Sequence, residues 1–156
     1  MVRLNFHVDL IEVQVGPFIR IASEKFPILP GEAEELVNEG MYGKALAKYL
    51  VDNLGERGYE ASDCCCEDWG WWIGLSGFSF LFGICIYGRE GGGGALDLYV
   101  TDGATQGWRW SWQKFRFVDN GARTAAARLH RDLIATFDAD PEVHVLATDL
   151  DSPFVD

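Results

Sequence analysis

The chain has 156 residues, 48% hydrophobic and 24% charged, with a formal net charge of −11. That length suits one domain, and that balance supplies a core, which excludes an intrinsically disordered chain. The acidity sets the molecule as a whole against nucleic acid, whose binding rests on phosphate neutralisation, and directs attention to a basic partner.

From Val2 the apolar residues alternate strictly through Leu4, Phe6, Val8 and Leu10, the pattern of a half-buried strand. The apolar parity then switches to Ile11, Val13 and Val15, which predicts a bulge or sharp twist near Leu10-Ile11. Charges fall inside this opening stretch and no apolar core with a small-residue cleavage site follows, so it does not read as a secretory signal. Gly16-Pro17 ends the run, and Phe18-Ile19-Arg20-Ile21 predicts a short return strand.

Pro27 to Gly40 is acidic and turn-rich, a loop or one short helical stretch. A helix is expected from Met41 to Glu56, with Tyr42, Leu46, Tyr49, Leu50 and Leu54 at helical spacing and Gly55 and Gly58 at its end. Strands are expected at Tyr59–Cys66, Trp69–Leu75, Phe78–Tyr87 and Ala95–Thr101, the last two joined through Gly91 to Gly94. The apolar passage Trp69–Tyr87 is long enough for a membrane helix. Its glycines at 70, 74, 77 and 83 and serines at 76 and 79 favour two sheet strands instead. Trp108 to Val118 fits either a strand, through Trp108, Trp110 and Trp112, or a helical face, through Trp108, Trp112 and Phe115. After Asp119-Asn120-Gly121 a second helix is expected from Ala122 to Phe137, with Ala122, Ala126, Leu129, Leu133 and Phe137 on one face. Asp140-Pro141 breaks it, and Val143–Leu146 predicts a final strand. Strands in blocks between two helices give a single α+β domain over 1–156, with a mainly antiparallel sheet of about six strands.

Motifs of catalysis are incomplete. Gly43-Lys44 lacks the earlier glycine and the following Ser or Thr of a phosphate loop, those positions being Asn38 and Ala45. Gly74-Leu75-Ser76-Gly77 misplaces the second glycine of a nucleophile elbow, and His7, His130 and His144 suggest no triad. The tetraglycine run lacks the βαβ setting of a dinucleotide loop. Cys64, Cys65 and Cys66 in a row cannot build a disulfide framework, and with Cys85 they fit reduced thiols in a cytoplasmic protein. With no second pair to complete a zinc set, neither metal nor cofactor is expected. On a strand, Cys64 and Cys66 face one way and Cys65 the other.

Charge is unevenly spread. Residues 31–70 carry ten acids against Lys44, Lys48 and Arg57. Residues 108–131 carry Arg109, Lys114, Arg116, Arg123, Arg128 and Arg131 against Asp119, and residues 132–156 carry seven acids and no base. Trp108-Arg109-Trp110-Ser111-Trp112 has the interleaving of a single-strand stacking platform, which the net charge opposes. Glu67-Asp68-Trp69-Gly70-Trp71-Trp72 places two carboxylates beside three indoles. It reads either as a contact patch or as a turn followed by core, with Trp69 and Trp71 on one sheet face and Trp72 on the other. Glu67 and Asp68, as strand neighbours, would not converge on one bond as glycosidase carboxylates do.

The string Glu67-Asp68-Trp69-Gly70-Trp71, after a helix and Gly58-Tyr59, resembles a motif of small bacterial proteins, some similar to contact-dependent or polymorphic-toxin immunity proteins. The resemblance covers about residues 54–73, implies no catalytic residues, and does not extend to the three cysteines before it. The expectation is a non-catalytic, immunity or inhibitor-type module that meets a basic protein, such as a toxin. Its contacts would come from Glu32, Glu34, Glu35, Glu39, Glu67, Asp68 and Trp72. Two rival readings are a small-ligand binder or enzyme with a pocket lined by Trp69, Trp71 and Trp108, and a self-associating protein that pairs through a strand edge.

Overall fold

The computed structural model describes residues 17–88, 94–101, 108–111, 116–119 and 121–153. The expected strand at Val2–Leu10, its parity change and most of the tetraglycine run lie outside them. The order is β1 (Phe18–Ala22), α1 (Glu32–Glu35), α2 (Lys44–Leu54), a 3-10 turn (Gly55–Arg57), β2 (Glu60–Ala61), β3 (Cys65–Glu67), β4 (Gly70–Ser76), β5 (Gly83–Gly88), β6 (Ala95–Thr101), β7 (Trp108–Ser111), β8 (Arg116–Asp119), α3 (Ala122–Asp138) and β9 (His144–Leu150). Seven strands form one antiparallel sheet in the order β2-β4-β5-β6-β1-β9, with β3 also on β4, while β7 and β8 pair separately. The fold is α+β, as the blocks of strands predicted. Within the ambiguous segment Trp108–Val118, Trp108–Ser111 is a strand paired antiparallel with Arg116–Asp119, as the strand reading expected, while Trp112 and Phe115 lie outside the described residues.

Alternation along the strands sorts side chains into two faces. Ile19, Ile21, Trp71, Ile73, Leu75, Ile84, Ile86 and Leu98 share one face and are buried against Leu46, Leu50 and Leu54 of α2 and Leu129, Leu133 and Phe137 of α3. Phe18 and Cys85 are buried on the other face, packed by Trp69, Trp72, Tyr87 and Leu150. Burying each large aliphatic side chain stabilises the fold by about 1.5–3 kcal/mol.

Three departures from the expected elements have local causes. The predicted strand Tyr59–Cys66 is split into β2 and β3 because Ser62 takes over between them. Its N–H donates to the Gly74 carbonyl at 2.9 Å, and its hydroxyl accepts from Gly74 N–H at 3.1 Å. β5 starts at Gly83, not Phe78; Phe82 enters the core, with the exposed Phe78 and the half-buried Phe80 edge-on to its ring, at 4.5 and 5.7 Å between centroids. β9 runs on to Leu150 with bulges. Ile19 alone lies opposite Thr148 and Asp149, and Leu146 has no residue opposite it on β1.

Gly70 begins β4 at φ 153°, a backbone region that L side chains rarely adopt. A Cβ there would also lie 2.2 Å from the Ile86 carbonyl oxygen. All four cysteines are free, with Cys64 and Cys66 half-buried and Cys65 exposed, as their alternation predicted. No helix among the described residues is long and apolar enough to cross a membrane.

Candidate functional site

The acidic segment is tied to the rest of the molecule at three points. First, Glu32 turns inward, 1% exposed. Its Oε1 accepts from the N–H groups of Gly43 at 2.8 Å and Lys44 at 2.9 Å, and its Oε2 from the N–H of Leu29 at 2.9 Å. α2 begins at Gly43 without a side-chain cap or an acid in its first turn. The first N–H groups of a helix lack intrahelical partners and carry partial positive charge, so Glu32 supplies both the acceptor and the negative charge they require. Second, Asn38 Nδ2 donates to the Asp68 carbonyl in the β3–β4 turn. Third, Trp71 Nε1 donates to the Met41 carbonyl at 3.2 Å.

These ties gather one end of the molecule from three places: α1, the 36–43 loop and the β3–β4 turn. Glu34, Glu35, Glu39, Glu67 and Asp68 are all exposed. Glu35 pairs with Lys44, whose ammonium also lies 5.7 Å from the Trp71 ring centroid. The Glu35 hydrogen bond raises the Lys44 pKa. Glu67 Oε1 lies 3.5 Å from Cys65 Sγ, and burial first, then this carboxylate, pushes the Cys65 thiol up, away from the reactive thiolate. Val37 stands among the acids with 59% of its surface exposed.

Of the seven residues expected to contact a partner, Glu34, Glu35, Glu39 and Asp68 come together here, and Glu67 stands beside them at the strand edge. Glu32 is corrected from contact to interior cap. Trp72 is half-buried on the sheet face away from the helices, edge-on to Trp69 with centroids 6.4 Å apart. Sequence reasoning missed Val37, Asn38 and Lys44. Val37 was the readable signal, an apolar residue in a polar loop.

Trp69 is also corrected: it does not share a face with Trp71. Glu67 pairs directly with Gly70, so Asp68 and Trp69 form the turn, and Trp69 packs on the far face against Trp72 and Tyr87. Trp71, 1% exposed, fills the core. Rings on opposite sides of a sheet cannot line one pocket, so the expected Trp69–Trp71 pocket does not form.

Two grooves lie elsewhere. One of about 920 Å³ runs along Ala22–Pro27 beside Gly94, Glu142 and His144. The other, about 450 Å³, lies between the C-terminal ends of α2 and α3, with Tyr49, Arg57 and Asp140 in its walls. Its polar groups serve each other. Asp140 accepts from Lys25 at 2.7 Å and from the Tyr49 hydroxyl at 3.0 Å, and Arg57 Nε donates to Thr136 Oγ1 at 2.8 Å. The Lys25 bond holds the Asp140 carboxyl below its ordinary pKa. Ser76, the candidate elbow serine, bonds Glu60 through the backbone carbonyl at 3.3 Å and Oε2 at 3.2 Å.

Compared with known proteins, the chain matches no family model, no curated protein and no solved structure.

Proposed function

We propose that the protein is a non-catalytic binding module whose acidic end recognises a basic protein partner. The observation that carries this reading is the exposed Val37 in the segment that bears Glu34, Glu35 and Glu39, beside Asn38, whose hydrogen bond to the Asp68 carbonyl ties that segment to the turn carrying Glu67 and Asp68. A surface that only keeps a protein soluble has no use for an exposed apolar side chain among its charges. An interface has, because apolar anchors inside a charged rim exclude water and give the contact its affinity. The rim carboxylates would steer the approach of a cationic surface. Glu35 contributes less, since Lys44 already neutralises it.

Within this reading the immunity or inhibitor role is the narrower form. The protein would cover the basic surface of a toxin, a resemblance its Glu67-Asp68-Trp69-Gly70-Trp71 string supports. Free cysteines fit the reducing cytoplasm in which such a protein would act. The net charge of −11 keeps nucleic acid out of the proposal.

The test is capture from the source cells at low and at high salt with the wild type and Glu39→Lys/Asp68→Lys. A basic protein retained by the wild type at low salt, released by salt and absent from the variant supports the reading. Capture unaffected by the charge reversal, or no salt-sensitive partner, overturns it.

A further inference from the structure

Three thiols stand in a row at one edge of the sheet, and the strand sorts them. Cys64 and Cys66 are half-buried and packed against the core, while Cys65 is exposed, with its sulfur 3.5 Å from Glu67 Oε1. Among the described residues β3 pairs with β4 alone, so the two same-face thiols lie at the rim of the core and are open on one side. A strand rises about 3.3 Å per residue, which sets positions i and i+2 about 6.6 Å apart. Two cysteine side chains at that spacing can turn their sulfurs toward one ion from opposite sides.

Core packing explains small apolar side chains here but not the charge around them. Cys66 is directly across from Trp71, and the Lys44 ammonium lies 5.7 Å from the Trp71 ring centroid, over the same part of the sheet. Lys44 is paired with Glu35, whereas Lys48, one turn later on α2, is exposed and enters no ion pair among the described residues. Burial pushes the Cys64 thiol up, and Lys44 and Lys48 oppose that shift, which brings both ammonium groups within electrostatic reach of its sulfur. In a chain of net charge −11, two cations beside a pair of half-buried thiols favour a negatively charged species at that place.

Thiolates are soft ligands and select soft ions, Cu(I) among them. Structural zinc asks for four ligands, and among the described residues no group of three or more Cys, His, Asp or Glu is placed to hold a metal. Cu(I) is satisfied by two thiolates in line. On binding, two S–H bonds break, two Cu–S bonds form and two protons leave, with no change of oxidation state. The product carries one net negative charge, which the unpaired Lys48 is free to offset.

We infer that Cys64 and Cys66 form a two-coordinate site for Cu(I) at the open edge of the sheet, with Lys48 as its counter-charge. The site stands apart from the proposed partner surface, which uses neither sulfur. Cys65, on the opposite face, takes no part in it.

The experiment titrates the reduced full chain with Cu(I), free of oxygen, against bicinchoninate, whose coloured Cu(I) complex reports the metal that the protein has not taken. Wild type is compared with Cys64→Ala, Cys65→Ala, Cys66→Ala and Lys48→Glu, with thermal melts to show that each folds. Cys66→Ser is a second substitution at the position that faces Trp71. The wild type should take one Cu(I) per chain. Loss of Cys64 or Cys66 should weaken binding at least about a hundredfold, and loss of Cys65 less than about threefold. Lys48→Glu should weaken it about tenfold at low salt and less at high salt. A wild type that leaves Cu(I) with the competitor overturns the inference, as does equal dependence on all three cysteines. So does copper that joins two chains, seen as a doubled mass in sedimentation, or a Lys48→Glu affinity equal to wild type. None of these variants touches Glu39, Asp68 or Val37, so the outcome is independent of the proposed partner surface.

Discussion

Replacing Glu32 separates two roles for an acidic residue in an acidic segment. If it were a contact, Glu32→Ala would weaken binding and leave stability alone. The structure makes it an interior cap, so the main effect should be on stability. Three backbone N–H groups lose a charged acceptor. A hydrogen bond to a charged group is worth about 1.5–3 kcal/mol, and a buried donor left unpaired costs about 1–3 kcal/mol. Gly43 is buried, whereas Lys44 and Leu29 are partly exposed and water can replace their partner. The expected loss is therefore about 3 kcal/mol, well short of the simple sum, against a total stability of about 5–15 kcal/mol. In urea, with a slope of about 2 kcal/mol/M, the midpoint should fall by about 1.5 M. Glu32→Gln keeps one acceptor oxygen for Gly43 and Lys44 but sets an NH2 against the Leu29 N–H, so about half the loss is expected. Equilibrium unfolding followed by circular dichroism measures both. A Glu32→Ala stability within about 0.5 kcal/mol of wild type would refute the cap.

Other expectations follow from the same structure. Trp71→Ala removes the largest buried side chain among the described residues and should cost about 3–5 kcal/mol, read from chemical denaturation; a loss under 1 kcal/mol would contradict its burial. Gly88→Ala sets a Cβ 2.0 Å from the Tyr42 carbonyl oxygen and 2.4 Å from Leu96 Cδ2, so the variant should be strongly destabilised or insoluble, and a wild-type melting temperature would be evidence against this packing. Burial lowers the His130 pKa from 6.5, opposed by a backbone hydrogen bond at Thr148. The unfolded chain then takes up the proton first, so this contribution is intact above pH 6.5 and is lost as pH falls through the lower folded value. Melting temperature should drop between about pH 7.5 and 5.5 more in the wild type than in His130→Gln, and equal drops would remove His130 as the cause.

The sequence was most legible where a side chain's role is set by its neighbours along the chain. Leu46, Leu50 and Leu54 on α2, and Leu129, Leu133 and Phe137 on α3, are spaced for one helix face and are buried there. Positions governed by a distant partner were not legible. The cap of α2 stands eleven residues upstream at Glu32, where local capping rules do not look. Asp68-Trp69 became the turn because Gly70 allows a tight approach to Ile86, which reassigned Trp69 to the far face. β9 read as a fragment because its bulges break the period-two pattern that identifies a strand. For the acidic end, composition marked the segment but not which acids stay free. That depended on Lys44 reaching Glu35 and on Glu32 turning inward.

How the acidic end is held determines how it should bind. A loop of glutamates tethered only at its ends would have to be ordered on contact, and ordering a residue costs about 1–2 kcal/mol. Here Glu32, Asn38 and the Met41 carbonyl each fasten the segment to α2 or to the β3–β4 hairpin, whose rigid core includes Trp71. Most of that ordering is complete before a partner arrives, so binding should depend on charge and fit and little on folding. The kinetics then have a definite form. Raising salt should slow association with a basic partner, because the rim carboxylates act by steering, and should change dissociation much less. Val37→Ala should do the reverse, speeding dissociation while leaving the association rate and its salt slope near wild type. Surface plasmon resonance over a salt series separates the two rates. If charge reversal at Glu39 and Asp68 acted mainly on dissociation, and Val37→Ala mainly on association, the division into a steering rim and an apolar anchor would be wrong.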